Sequence, residues 1–135
     1  MTNRRSASGL VIIATVAVLL PLATGCGKSG PPQLGLVKGT VTLGGAPLSD
    51  ALVLFTPEGP GRTSQGRTDA SGVYRAEYLR DIPGANVGRH TVRITTARKA
   101  SASKERLPSK YHAKTILTAT VLPGENVIDF ALDPK

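Results

Sequence analysis

From Leu36 onward, apolar and polar residues alternate in short runs separated by turn formers, the period-2 signature of strands with one face buried. In Leu36–Leu43 the positions Val37, Gly39, Val41 and Leu43 fall on one side, and Lys38, Thr40 and Thr42 on the other. Gly44-Gly45 and Ala46-Pro47-Leu48 then mark a reversal. Ala51–Pro57 is apolar on both faces, as a central strand would be, and Pro57 ends it. Glu58–Ser64 is loop-like. Gln65–Thr68 and Gly72–Tyr78 are joined by a turn in which Asp69 can hold its own backbone while Gly72 takes a positive φ. Pro83-Gly84 marks a further turn. Gly88–Ala97 alternates again, with His90, Val92 and Ile94 inward and Arg89, Thr91 and Arg93 outward. The spacing predicts a hairpin of Ile116–Leu122 and Asn126–Asp133 about a type II turn at Pro123-Gly124, facing Leu117, Ala119, Val121, Ile128, Phe130 and Leu132 inward. No stretch carries a helical period. The pattern predicts an all-β fold, a seven-stranded β-sandwich with Greek-key-like connections.

The residues before this pattern differ in kind. Arg4 and Arg5 precede an uncharged run, Leu10–Ala23, of 14 residues interrupted by Pro21. A spanning helix needs about 20 apolar residues, so the run fits the hydrophobic region of an export signal better than a membrane anchor. Ala23-Thr24-Gly25-Cys26 follows, and it resembles the lipobox of bacterial lipoproteins, with Leu22 one place earlier than usual. The resemblance implies a diacylglyceryl group on the Cys26 thiol and cleavage just before it. Cys26 is the one cysteine of the chain, and acylation would account for an odd thiol in an exported protein. The expected organisation is a signal peptide at 1–25, a lipidated cysteine and polar tether at 26–35, and one domain at 36–135. The expected location is extracytoplasmic, on the periplasmic face or the cell surface.

Removing 25 residues from 135 leaves 110, a one-domain length. Aromatics make up 4% and Trp is absent, so the core must rest on Val, Leu, Ile and a few rings. The formal charge is +8; without Arg4 and Arg5 it is +6, which suits anionic partners. Export argues against nucleic acid as that partner. The excess concentrates in Arg98–Lys114, where Arg98, Lys99, Lys104, Arg106, Lys110 and Lys114 oppose Glu105 alone. This long segment is the candidate site for lipid headgroups, acidic glycan or an envelope protein. Tyr111 within it reads as a packing anchor.

The series Val37-x-Gly39-x-Val41, Gly45-x-Pro47-Leu48, Val53-x-Phe55-x-Pro57, Thr68-Asp69-x-x-Gly72-x-Tyr74 and Gly88-x-His90-x-Val92 resembles the carboxypeptidase regulatory-like domains, which have the transthyretin (prealbumin-like) fold. Leu107-Pro108-x-Lys110-Tyr111, Leu117-Thr118-x-x-Val121-x-Pro123-Gly124 and Asp129-Phe130-x-Leu132 are similar to short bacterial lipoproteins of that type. The resemblance covers roughly residues 36–133. It implies an accessory, adhesive or carbohydrate-associated module and no particular activity.

Catalytic chemistry finds little material. His90 and His112 are the only histidines; His90 reads as a core residue, and His112 has no acidic neighbour in sequence. Two histidines without a free cysteine do not make a closed zinc site. The chain ends Ala131-Leu132-Asp133-Pro134-Lys135 and so lacks the terminal motif of the hydroxyisourate hydrolases that share the transthyretin fold. The spacing of Tyr74, Tyr78 and Tyr111 relative to the histidines does not match an intradiol dioxygenase iron site. Asp69 offers one carboxylate, too few for calcium. The expectation is a non-catalytic lipoprotein without cofactor or metal, held to membrane lipid by Cys26. A carbohydrate-binding accessory protein is the alternative and a small hydrolase the third reading. An exposed aromatic row would favour the alternative.

Overall fold

The alternation of the first run becomes a ten-residue strand, β1 (Leu34–Leu43), in which Val37 and Val41 are buried and Leu36 and Lys38 exposed. The structure, a computed structural model, describes residues 30–98 and 104–135. The expected signal peptide at 1–25, Cys26 and Lys99 lie outside the described residues.

After β1 come β2 (Ala46–Pro47), β3 (Leu52–Pro57), β4 (Ser64–Arg67), β5 (Val73–Arg75), β6 (Glu77–Leu79), β7 (Ile82–Pro83), β8 (Ala85–Asn86), β9 (Gly88–Thr95), β10 (Leu117–Val121), β11 (Gly124–Val127) and β12 (Phe130–Leu132). The described residues are thus all-β, with one 3-10 turn at Ser109–Tyr111 and no α-helix. None of their helical segments is long and apolar enough to cross a membrane.

Two sheets form a sandwich-like arrangement. One is built around β1, with β2, β5 and β8 antiparallel to it and β11 and β12 parallel. The other runs β10-β9-β3-β4-β6-β7 and is antiparallel throughout. The strand read as central, β3, does lie between β9 and β4, with Ala51, Val53 and Phe55 fully buried. Its other face, Leu52 and Leu54, is half-buried, so the doubly apolar run does not mean two cores.

The expected C-terminal hairpin is absent. Pro123-Gly124 does turn the chain, and Gly124 takes φ 88°, as the second central residue of a type II turn does. Yet β10 pairs with β9 in one sheet, while β11 and β12 pair with β1 in the other. The turn is a crossover between layers, tied by Asn126: Leu122 N donates to Asn126 Oδ1, and Asn126 Nδ2 donates to Leu36 O and Leu122 O. The expected inward residues of both strands nevertheless face the core. The Asp69 turn forms as expected: Ser71 N and Val73 N donate to Asp69 Oδ1, and Gly72 takes φ 75°.

Rings supplied by both sheets fill the middle. Phe55 of β3 meets Tyr74 of β5 at 6.0 Å, Phe130 of β12 at 6.3 Å and His90 of β9 at 5.9 Å between centroids. Tyr74 also donates its hydroxyl to Ile128 O at 2.6 Å. Burial beside Asp129 pushes its phenol pKa up.

The sandwich has two chemically distinct ends. At the entry end, where the chain arrives at Leu34, lie Asn86, Gly88, Val121 and Gly124, joined by pairing and close contact. Leu36, Leu79, Ile82 and Leu122, which sit there or lead to it, are all more than a third exposed. At the far end lie Leu43, Leu132, Asp50, Arg67 and Thr95.

Candidate functional site

The basic segment folds at the far end, and the charges that define it in sequence are handled unequally. Its one acid is an internal clamp. Glu105 accepts hydrogen bonds from Thr95 Oγ1, from Thr96 N at 2.9 Å, from Thr96 Oγ1 at 2.7 Å and from Leu107 N at 3.1 Å. Partial burial pushes its carboxyl up, but these donors together outweigh that and hold it at about 2, against an ordinary 4.5. The unfolded chain therefore takes up this proton at a higher pH than the folded one. Stability from the clamp is complete above about pH 4.5 and is lost as pH falls toward 2. Glu105→Gln should cost on the order of 2 kcal/mol at pH 7 and flatten the acid limb of a stability–pH curve. A mutant whose urea midpoint falls with acid as steeply as the parent's would refute the clamp.

Leu107 and Tyr111 seal the segment onto the core, at 6% and 5% exposed, and the Tyr111 hydroxyl accepts from Asp133 N at 2.9 Å. Tyr111 is thus an anchor, as its place in the sequence implied. Around these anchors the cations are partly committed. Arg106 Nη2 donates to Ser49 O at 3.0 Å, and Lys110 Nζ donates to Lys135 O at 2.6 Å while lying over the Tyr111 ring. Arg98 pairs with Asp50. The ammonium groups of Lys104 and Lys114 have no hydrogen-bond or ion-pair partner among the described residues, and both residues are exposed.

Folding also brings in two arginines that sequence reasoning left out. Arg67 of β4 donates through Nη1 to Asp50 Oδ1 at 3.0 Å and to Asp50 O at 3.1 Å. Asp50 therefore sits between Arg98 and Arg67, whose hydrogen bonds and charges, Arg98 first, hold its carboxyl below the usual range. Arg93 of β9 donates through Nε to His112 O at 2.9 Å. These side chains rim a shallow cavity of ≈ 770 Å³ floored by Leu52 and Leu54 on the outer face of the second sheet. The signal for it was present but scattered: outward positions of three strands, at 52 and 54, 67, and 93, align only once the register is known.

The histidines do not converge. His90 is fully buried, Nδ1 lies 3.0 Å from Gly88 O, and Nε2 has no partner among the described residues. Burial holds its pKa below the usual value, opposed by Gly88 O and the Glu58 carboxylate. His112 instead places Nε2 3.1 Å from Leu107 O within the basic segment. Among the described residues no group of three or more His, Cys, Asp or Glu stands close enough to hold a metal ion. Of the five aromatic rings, Phe55, Tyr74, Tyr111 and Phe130 are buried; Tyr78 is half-buried with Arg62 above it. The chain matches no protein-family model and no curated protein.

Proposed function

We propose that this chain is an exported lipoprotein whose β domain rides on a membrane through acylated Cys26 and works there as a non-catalytic binding or structural module. The observation that carries this reading is the sequence Ala23-Thr24-Gly25-Cys26 closing an apolar run, with β1 starting at Leu34, only eight residues after the thiol. One acyl chain binds marginally, whereas the two or three of a bacterial lipoprotein hold firmly. Within this reading the domain is of the carboxypeptidase regulatory-like, transthyretin-like kind, which the sandwich-like pair of sheets and the inward positions of the quoted motifs support. Exposed Lys104 and Lys114 and oriented Arg106 and Lys110 favour an anionic partner. The carbohydrate-binding alternative has to rest on charge, because four of the five rings are spent on the core.

Metabolic labelling with palmitate tests the anchor. The wild-type chain should take up label and sediment with membranes, and Cys26→Ser should lose both. A Cys26→Ser protein that is still labelled and still sediments would end the proposal.

A further inference from the structure

The outer face of the second sheet carries more than the cavity at Arg93. That cavity shares Leu52 and Arg67 with a neighbour of ≈ 570 Å³, which in turn shares Gln65 and Glu77 with a third of ≈ 600 Å³. Together they make one trough crossing β9, β3, β4 and β6 and reaching β5 of the first sheet, which supplies Val73, Tyr74 and Arg75. Four strands at about 4.8 Å spacing give it a length of roughly 14 Å. Its walls hold Arg62, Arg67, Arg75, Arg80, Arg93 and Arg98 against Asp69 and Glu77. Ten arginines occur in the chain, two of them in the proposed leader, so six of the eight in the mature part line this one surface; among the described residues the walls contain no lysine. A guanidinium presents a planar fork that matches a carboxylate, whereas an ammonium is a point charge. Several of these forks are also oriented in advance. Arg93 spends Nε on His112 O, leaving both Nη groups for a ligand, and Arg67 spends Nη1 on Asp50.

We propose that this trough binds a strand of carboxylate-bearing polysaccharide. The length and the repeated arginines fit a linear polyanion better than a single small anion, and the half-buried Leu52 and Leu54 give the sugar rings an apolar floor. A bilayer surface is the poorer match. It is flat and does not enter a recess, and the most exposed apolar side chains, which a membrane contact uses, are Ile116, Val127 and Leu122 at 72%, 66% and 60%, all outside the trough. The choice of glycan over lipid rests on the envelope location proposed above. In that setting β1, about 30 Å long, sets the far end away from the anchor. Eight residues of tether reach at most about 27 Å.

The test uses the full acylated protein in vesicles of phosphatidylcholine, with polygalacturonate as probe and dextran as the uncharged control. Polygalacturonate should bind, more weakly as salt rises, and dextran should not. Arg93→Gln and Arg67→Gln should each weaken binding roughly tenfold. Arg93→Lys should not restore it, and Arg89→Gln, outside the trough, should leave it unchanged. An unaltered thermal melt of Arg67→Gln separates lost recognition from lost folding. Failure of polygalacturonate to bind, equal binding by all the variants, or rescue by Arg93→Lys would overturn the trough. So would a greater effect of these variants on attachment of the Cys26→Ser protein to phosphatidylglycerol vesicles than on polygalacturonate binding. Loss of glycan binding with Cys26 still acylated would sink the trough alone. Glycan binding by a chain never acylated in cells would sink the anchor alone.

Discussion

Replacing Phe55 by alanine will lower the free energy of unfolding by about 3–5 kcal/mol, measured as a shift of the urea midpoint at unchanged slope. Phe55 is fully buried and touches Tyr74, Phe130 and His90, so its ring joins both sheets. The chain has few other rings to close over the cavity. A domain of this size typically has only about 5–15 kcal/mol in hand, so this one ring carries a large share of the total. A loss below about 1 kcal/mol would mean that the sheets are not held together at this point.

Gly39→Ala is expected to be as damaging for the opposite reason. A Cβ at position 39 would lie 1.8 Å from Ile128 O, 2.6 Å from Ile128 C and 3.0 Å from Tyr74 Cε1. Ile128 cannot step aside easily, because its N–H donates to Lys38 O at 2.8 Å and its carbonyl accepts from Tyr74. The added methyl would prise β1 from the link between β11 and β12. Overpacking usually costs about 1–3 kcal/mol, and a backbone obstacle puts this change at or beyond the upper end. Gly59→Ala, where nothing lies within 4 Å, serves as the control and should change the melting temperature little. Equal melts for the two variants would contradict the packing described at Gly39.

These two sites also mark what could be read from the chain alone. Inward and outward positions of β1 and β9 follow directly from alternation, because a period of two needs no knowledge of the partner strand. The same rule led to the false hairpin. Leu117, Ala119 and Val121 face the core from one sheet, and Phe130 and Leu132 face it from the other. Alternation cannot distinguish two paired strands from two strands on opposite layers. Pairing was decided by contacts about 90 residues apart, such as Asn126 with Leu36 and Asp129 with Thr40. In the basic segment, composition revealed the charges and Tyr111 but not the clamp, although Thr95 and Thr96 offered hydroxyl donors ten and nine residues before Glu105. The arginines of the trough were hidden more deeply. They come from three strands and three connecting segments, and only the fold sets them side by side.

The parallel pairing of β11 and β12 with β1 has a consequence in time. A sheet whose first strand needs the last one as neighbour cannot close until the carboxyl-terminal residues have been delivered. Such non-local closure makes folding slow relative to local structure. Under the export proposed above, that delay would be an advantage: the nascent chain would stay open for threading until β11 and β12 arrive.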